Sequence, residues 1–569
     1  MRRRLTAALF VLSAAAPAAA QVALPGPAQI PQAQRRFETQ TAPAVSERRE
    51  LPVTPDAIAP PPGAENVRFV LRAVDVVGAT RYAPDDWRPL YASRLNQTVS
   101  LADLYAIAEQ VTARYRQDGY LLSLAIVPEQ DVEDGRVVIR VVEGRIDRAA
   151  FTQPLPGGDA LPQGLANRII ASQPLVASVL ERNLLLIGDL PGLNVQSVLR
   201  PSPSTFGAAD LDIVTQYTPW EGFVSIDNQG SRYIGPYALS AGASGYSLLG
   251  FYEQADLTVA VDPFDDSMHY GQGVFTVPVH ASGALMGDTF QLAGLHSRAT
   301  PDLSEAIFPF ETRSTSTEWR ATYFVPAIRS REQNLSLRLS FLWRDLENRV
   351  TDFPRDAFNP VEEHVRVLQP RFTYDRVGRH NGIWIVDAAL NIGLDAFGAS
   401  KDSDPRLIRE DADGKFVYLS GMAARLQPLG PGFSLFGRVD FQWSDDRLPT
   451  TERFGVGGMQ LGAGYAPGTL TGDDAVGVRV ELRYGTETGR SFVSGYQLYA
   501  HADYGRVWDH DAPDREYQSL SSMGVGARIN LTRSLSFNPE VAQQLSGRPN
   551  DCIDCRHETR FLFSLTQRF

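Results

Sequence analysis

From Trp220 to Phe569 apolar and polar residues alternate, segment after segment. Leu335, Leu337, Leu339, Phe341 and Trp343 interleave with Ser336, Arg338, Ser340 and Arg344. Phe433, Leu435, Val439, Phe441 and Trp443 interleave with Ser434, Arg438, Asp440 and Gln442. Val476, Val478, Val480, Leu482 and Tyr484 do so with Arg479, Glu481 and Arg483. A period of two puts alternate side chains on opposite faces of a strand. A soluble sandwich would turn the polar faces to water and pack the apolar ones together. A membrane barrel instead turns the apolar face to lipid and lines its lumen with the charged one. Aromatics cap the apolar faces, and the polar faces mix arginine with carboxylates; both features select the barrel. The segments number about sixteen, an even count suited to a bacterial barrel. Short turns at Gly430-Pro431-Gly432 and Thr532-Arg533-Ser534 alternate with longer loops such as Asp445 to Asp474.

The pattern upstream is different. Phe69, Leu71 and Val74 to Val77 predict a strand, and Ser100 with Asp103 three residues on predicts a capped helix start. Leu104, Ile107, Ala108, Val111 and Tyr115 form that helix's apolar stripe, and Gly119 ends it. Strands follow at Leu122 to Val127 and Val137 to Val142, around a turn at Asp134-Gly135. A second unit has an apolar helix over Val179 to Ile187, a turn at Asp189-Leu190-Pro191-Gly192, and strands near Val195 to Leu199 and Leu211 to Val214. The fold class is thus α+β units followed by an all-β, 16-stranded antiparallel transmembrane barrel.

The first residues carry a charged Arg2-Arg3-Arg4, an apolar Leu5 to Ala16 and an Ala18-Ala19-Ala20 site, the pattern of a secretory signal peptide over 1–20. Residues 21–66 are broken by prolines, including Pro60-Pro61-Pro62, and read as an extended tether. A helical turn or two over Gln32 to Thr39, and with it a plug for the pore, is the alternative. The remaining boundaries fall at 67–146, 147–217 and 218–569.

A net charge of −12 argues against a nucleic-acid partner, and two cysteines among 569 residues are too few for a disulfide framework. No G-x-S-x-G, H-E-x-x-H or P-loop is present, and the eight histidines are scattered. The chain does not read as an enzyme; neither a cofactor nor a metal is expected.

Leu101 to Gly119-Tyr120, Pro128-Glu129-Gln130 and Gly135 to Glu143-Gly144 together resemble a polypeptide-transport-associated (POTRA) domain. Leu180-Glu181-Arg182 through Leu190-Pro191-Gly192 is similar to a second one. With the barrel, these motifs resemble the hemolysin secretion/activation family, the two-partner secretion transporters of the outer membrane. The resemblance implies POTRA domains in the periplasm of a Gram-negative bacterium. They would capture an unfolded secreted partner (a large adhesin- or cytolysin-like β-solenoid), and the barrel would pass it outward. Outer-membrane lipids and the barrel-assembly machinery are the other implied partners. A barrel-assembly insertase and a passive porin or receptor are the rival readings.

Within the loop 445–475, seven glycines crowd between Gly455 and Gly472. In the family this loop folds into the lumen. Its tip carries Val-Arg-Gly-Tyr/Phe after a Gly-Gly pair, and the arginine pairs with a wall aspartate. Here Gly457-Gly458 is followed by Gly462-Ala463-Gly464-Tyr465, so Gly464 and Tyr465 match while Ala463 replaces the arginine. Asp503 in His501-Ala502-Asp503-Tyr504-Gly505 matches the wall aspartate and shares parity with Gln497, Tyr499 and His501. A buried carboxylate needs a cation, and Arg453, Arg479 and Arg506 are the candidates. An arginine restored at 463 is expected to be accommodated. Phe561, Phe563, Leu565 and the terminal Phe569 share one face and resemble the signal read by the barrel-assembly machinery. Cys552 and Cys555 form a C-x-x-C expected in a surface loop. It reads as a local disulfide in an oxidising compartment, with a metal site, a redox pair or free thiols as alternatives.

Overall fold

The computed structural model describes residues 24–37, 59–132, 134–279, 287–304, 311–351, 360–488, 492–510, 517–546 and 558–569. The signal-peptide reading of 1–20 and the pair Cys552 and Cys555 lie outside the described residues.

A short helix α1 (Ile30–Gln34) comes first. The first αβ unit holds β1 (Arg68–Val70), β2 (Ala73–Val77), α2 (Arg88–Tyr91), β3 (Thr98–Ser100), α3 (Leu101–Gln117), β4 (Leu124–Ile126) and β5 (Arg136–Val142). Its main sheet runs β2-β5-β4, with β2 parallel and β4 antiparallel to β5. Helix α3 starts where the Ser100 hydroxyl accepts from Asp103 N–H at 3.2 Å and the Asp103 carboxylate accepts from Ser100 N–H at 2.8 Å. Its expected stripe, Leu104, Ile107, Ala108, Val111 and Tyr115, is buried against Val137, Ile139 and Trp87. Glu143, just past β5, accepts from Thr80 N–H (2.7 Å), the Thr80 hydroxyl (2.6 Å) and the Tyr115 hydroxyl (2.8 Å). It therefore ties the sheet end to the helix. Burial, reinforced by that contact, raises the Tyr115 phenol's pKa.

The second unit holds β6 (Arg145–Phe151), α4 (Ala160–Ala171), α5 (Ala177–Gly188), β7 (Leu193–Pro201) and β8 (Ala208–Tyr217), with sheet order β6-β8-β7. Ile146 is fully buried in this second core beside Leu165, Ile169 and Ile187, so the expected boundary at 146/147 falls inside β6. Helix α4 gave no sequence expectation: Pro162 and Gly164 interrupt its pattern, and packing on β6 sustains it.

The barrel follows. Its strands are β9 (Trp220–Asp227), β10 (Ala238–Tyr246), β11 (Gln254–Val261), β12 (Met268–Pro278), β13 (Thr289–Ala299) and β14 (Thr312–Arg329). Next come β15 (Gln333–Val350), β16 (Val361–Val377), β17 (Ile383–Gly393), β18 (Val417–Gly430) and β19 (Phe433–Ser444). The small β20 (Phe454–Val456) and β21 (Leu470–Gly472) form a separate hairpin. Then β22 (Asp474–Glu487), β23 (Gly495–Trp508), β24 (Tyr517–Asn530), β25 (Leu535–Ser546) and β26 (Thr559–Arg568) complete the wall. Neighbours are antiparallel, and β26 pairs with β9 to close a cylinder of sixteen strands among the described residues.

Parity is as the pattern demands. Leu337, Leu339, Val439, Trp443, Val480 and Leu482 are exposed on the outside, whereas Ser340, Asp440, Arg479 and Glu481 are buried inside. The closing seam is short, with register pairs only from Ser564–Asp227 to Arg568–Phe223. Beyond them the Asn228 side chain substitutes for a strand: Oδ1 accepts from Phe563 N–H at 2.7 Å, and Nδ2 donates to Phe561 O at 2.7 Å.

Candidate gating site in the barrel lumen

The loop between β19 and β22 folds back inside the cylinder. Val456, Leu461, Tyr465 and Leu470 pack on the inward residues Ala475, Val507 and Leu520. Four glycines permit the fold because their backbones are left-handed: Gly457 (φ 115°), Gly458 (φ 90°), Gly462 (φ 93°) and Gly468 (φ 66°). Gly464 is needed for a different reason. A Cβ there would stand 3.0 Å from the Gln543 carbonyl carbon, the Gln544 nitrogen and Ser522 Cβ, so an added methyl would have to push the wall back by a few tenths of an ångström.

Asp503 points into the lumen with a fully buried side chain. Arg479, its register partner across β22 and β23, supplies the cation at 3.1 Å. The carboxylate also accepts from Ala463 N–H at 3.2 Å and the Ser522 hydroxyl at 3.0 Å. Arg479 in turn donates to Met459 O in the loop (3.1 Å) and to Glu481 (2.7 Å). The wall therefore holds both charges, and the loop is held through its backbone. Of the other candidates, Arg453 pairs with Asp509. Arg506 stacks on the Tyr517 ring at 4.0 Å and has the outward parity of Tyr504. The surroundings of residue 463 argue against the expected tolerance of an arginine there. Ala463 is fully buried against Ala542 and Leu562, and Asp503 already has its cation.

The rest of the tip is gripped by β25 and β26. The Tyr465 hydroxyl donates to Ser546 O at 2.5 Å, Gln544 Nε2 to Gly464 O at 3.0 Å, and Arg560 to the carbonyls of Tyr465 and Ala463. Arg560 also reaches Gly230 O at 3.0 Å, linking the loop to the seam. His501 lies 3.1 Å from Asp503 and 3.0 Å from Glu540. Sequence reading put Glu481 on the polar face without giving it a role and did not single out Glu540 or Arg560, although all three carry inward parity.

Helix α1 occupies the lumen too, so the linker reading fails over residues 24–37. Ile30 packs on Ile234, Ala238, Met268 and Ala299, and the Phe37 ring lies 4.6 Å from that of Tyr270. Gln32 fits against Gly455 and Gly468, where a Cβ at either would collide with it. Arg35 donates to Arg453 O at 2.7 Å, joining helix to loop. No group of three or more His, Cys, Asp or Glu is arranged to hold a metal among the described residues.

At the C-terminus, Phe561 and Phe569 are exposed, and Leu565 lies on the same outer face. Phe563 is partly covered. Phe569 N–H donates to Gly222 O at 2.9 Å.

The family model of the haemolysin secretion/activation protein ShlB/FhaC/HecB matches residues 207–529 of the 569. The chain belongs to this family. A model of the ShlB-type POTRA domain matches residues 69–144. The Heme/hemopexin transporter protein HuxB of Haemophilus influenzae is 22% identical over 503 residues, covering 86% of each chain. Outer membrane transporter CdiB of Escherichia coli is 23% identical over 501 residues, covering 85% of this chain and 80% of its own. The solved CdiB from Escherichia coli shares the fold, with a TM-score of 0.71 at 19% identity over 92% of this chain and 94% of its own. This member of the haemolysin secretion/activation family is an outer-membrane two-partner secretion transporter, with its POTRA domains in the periplasm. Transporters of this kind serve a secreted exoprotein.

In this family member the POTRA-like motif of the second unit is also a docking surface. Arg182 donates to Pro326 O at 2.9 Å and Ala327 O at 3.2 Å, at the end of β14. Glu181 accepts from Arg331 N–H at 3.0 Å, and Asp189 pairs with Arg329 through two bonds of 2.7 Å. The second POTRA domain is thereby fixed to the periplasmic rim of the pore.

Proposed function

We propose that the POTRA pair captures an unfolded exoprotein and that the barrel lumen exports it once α1 and the loop 445–475 move aside. The observation that carries this reading is the double occupancy of the lumen. Each occupant is held by a small apolar cluster on the wall together with hydrogen bonds to it, not by one continuous core, which suits a closure that must open. Capture is supported by strand edges: β7 is nine residues long and, among the described residues, bonded on one side only, an edge open to β-augmentation by an extended chain. The inward face, with Arg338, Arg371, Asp387 and Asp440, suits a polar unfolded polypeptide. The exported partner is a large β-solenoid that folds outside, and its folding supplies the drive. The latch consists of Gly457, Gly458, Gly462, Ala463, Gly464, Tyr465 and Asp503, with Arg479 as its cation. Phe561, Phe563, Leu565 and Phe569 are the signal for the barrel-assembly machinery. Neither catalysis nor a cofactor has a part in this scheme.

Deletion of 67–217 tests the division of labour. A heat-modifiable barrel should remain in the outer membrane, and the exoprotein should vanish from the medium. Continued export would exclude the capture role.

A further inference from the structure

The turn between β10 and β11 is built more elaborately than a periplasmic connection needs. Residues 247–252 read Ser-Leu-Leu-Gly-Phe-Tyr, without a charge. Leu248, Leu249 and Phe251 are 65%, 69% and 44% exposed. The carboxylate that follows, Glu253, is turned inward and 2% exposed. Its oxygens accept from Leu249 N–H at 2.6 Å and Phe251 N–H at 3.2 Å. Ser247 (φ 50°) and Tyr252 (φ 61°) are held in the left-handed region, a strain that persists only where surrounding contacts over-determine it. The turn hides its one charge and fixes its apolar side chains outward.

Two neighbours indicate what covers them. Leu248 lies over Gly245, 2.6 Å from where its Cβ would stand, on the face of β10 that carries the exposed Leu239. Gly245 pairs with Trp220, which is 59% exposed on the same outer wall at the periplasmic end. Tryptophan marks the level of the membrane interface, so the turn continues the lipid-facing wall at that level. The opposite side of the turn belongs to the second POTRA domain. Tyr252 is 1% exposed within that domain's core, and its hydroxyl donates to Gly158 O at 2.9 Å.

We propose that turn 247–252 is a lipid anchor. Leu248, Leu249 and Phe251 enter the acyl region of the periplasmic leaflet, and Tyr252 passes that fixation to the second POTRA domain, setting its position beneath the bilayer.

The test uses the full chain with Cys552→Ser and Cys555→Ser, a bimane label at Leu249→Cys, and phosphatidylethanolamine–phosphatidylglycerol vesicles. A doxyl lipid labelled near the headgroup should quench this label at least several-fold more than one at Phe206→Cys in the second POTRA domain. Iodide should show the reverse preference. A Phe251→Cys label must agree. Iodide access without doxyl quenching at both sites would overturn the anchor. So would protection that arises only when an exoprotein is co-produced, which would make the patch a docking site for that partner. For the coupling, spin labels at Val198→Cys and Leu257→Cys should give a distance distribution that broadens when Leu248, Leu249 and Phe251 are all replaced by serine. An unchanged distribution would refute it.

Discussion

Replacing Asp503 by alanine removes the acceptor on which the loop and the wall converge. Arg479, Ala463 N–H and the Ser522 hydroxyl lose their acceptor, and His501 loses the carboxylate 3.1 Å from its ring. Breaking a buried ion pair from one side costs about 3–5 kcal/mol when the remaining charge is stranded. Arg479 is not stranded, because Glu481 at 2.7 Å still compensates it. The larger loss therefore comes from the two neutral donors, each costing about 1–3 kcal/mol if left buried without a partner. Because Ser522 sits on the wall, only the Ala463 bond and the Arg479–Met459 contact bear on docking of the loop. A weakening of about 3 kcal/mol corresponds to roughly a hundredfold rise in the undocked fraction. The assay is maleimide labelling of Gln460→Cys on intact cells, with both native cysteines changed to serine. Labelling should rise by one to two orders of magnitude in Asp503→Ala. Asp503→Asn, which keeps an acceptor for Ala463, should rise less. Unchanged labelling on a barrel that is still heat-modifiable would refute the latch.

Gly464→Ala forces a Cβ to within 3.0 Å of the β25 backbone, an overpacking worth about 1–3 kcal/mol; the same labelling assay should show a smaller rise with barrel levels intact. Deleting Phe569 removes both its outward ring and its bond to Gly222 O across the seam, and should reduce heat-modifiable barrel in the outer membrane, measured by gel mobility. In the first POTRA domain, burial works against the Glu143 carboxylate, but donors from Thr80, Tyr115 and Arg81 outweigh it and hold its pKa below the ordinary 4.5. A folded-state pKa below the unfolded value gives stability that is present above about pH 4.5 and lost as pH falls through the folded value. Helix melting followed by circular dichroism should therefore show a midpoint that drops below that pH, and Glu143→Gln should lower it at neutral pH while flattening the acid limb.

Much of the architecture was legible because the barrel writes its two faces into a period of two, and because α3 writes its stripe and cap into a few residues. Asp503 could be placed inside by parity alone. Its partner could not. Arg479 faces it only because β22 and β23 pair in one register across a turn whose length the sequence does not announce. The same holds for Arg560, whose reach to Tyr465 and Gly230 joins segments far apart in the chain. Helix α1 was harder still. Five residues make no stable helix on their own, and prolines surround them; the helix exists because the lumen buries Ile30 and Gln32. Ala463 read as a lost cation, whereas the wall had taken over the charge and left room at the tip only for a methyl group.

Export through the lumen is tested most directly by photo-crosslinking during secretion. A benzophenone amino acid is placed at Ser336, inward on β15, or at Leu337, its outward neighbour, which is 44% exposed. With the exoprotein arrested in mid-export, crosslinks should form from position 336 and not from position 337. Crosslinks from 337 alone, or from the outer face of β9 and β26 at the seam, would place the exoprotein outside the lumen and contradict the account.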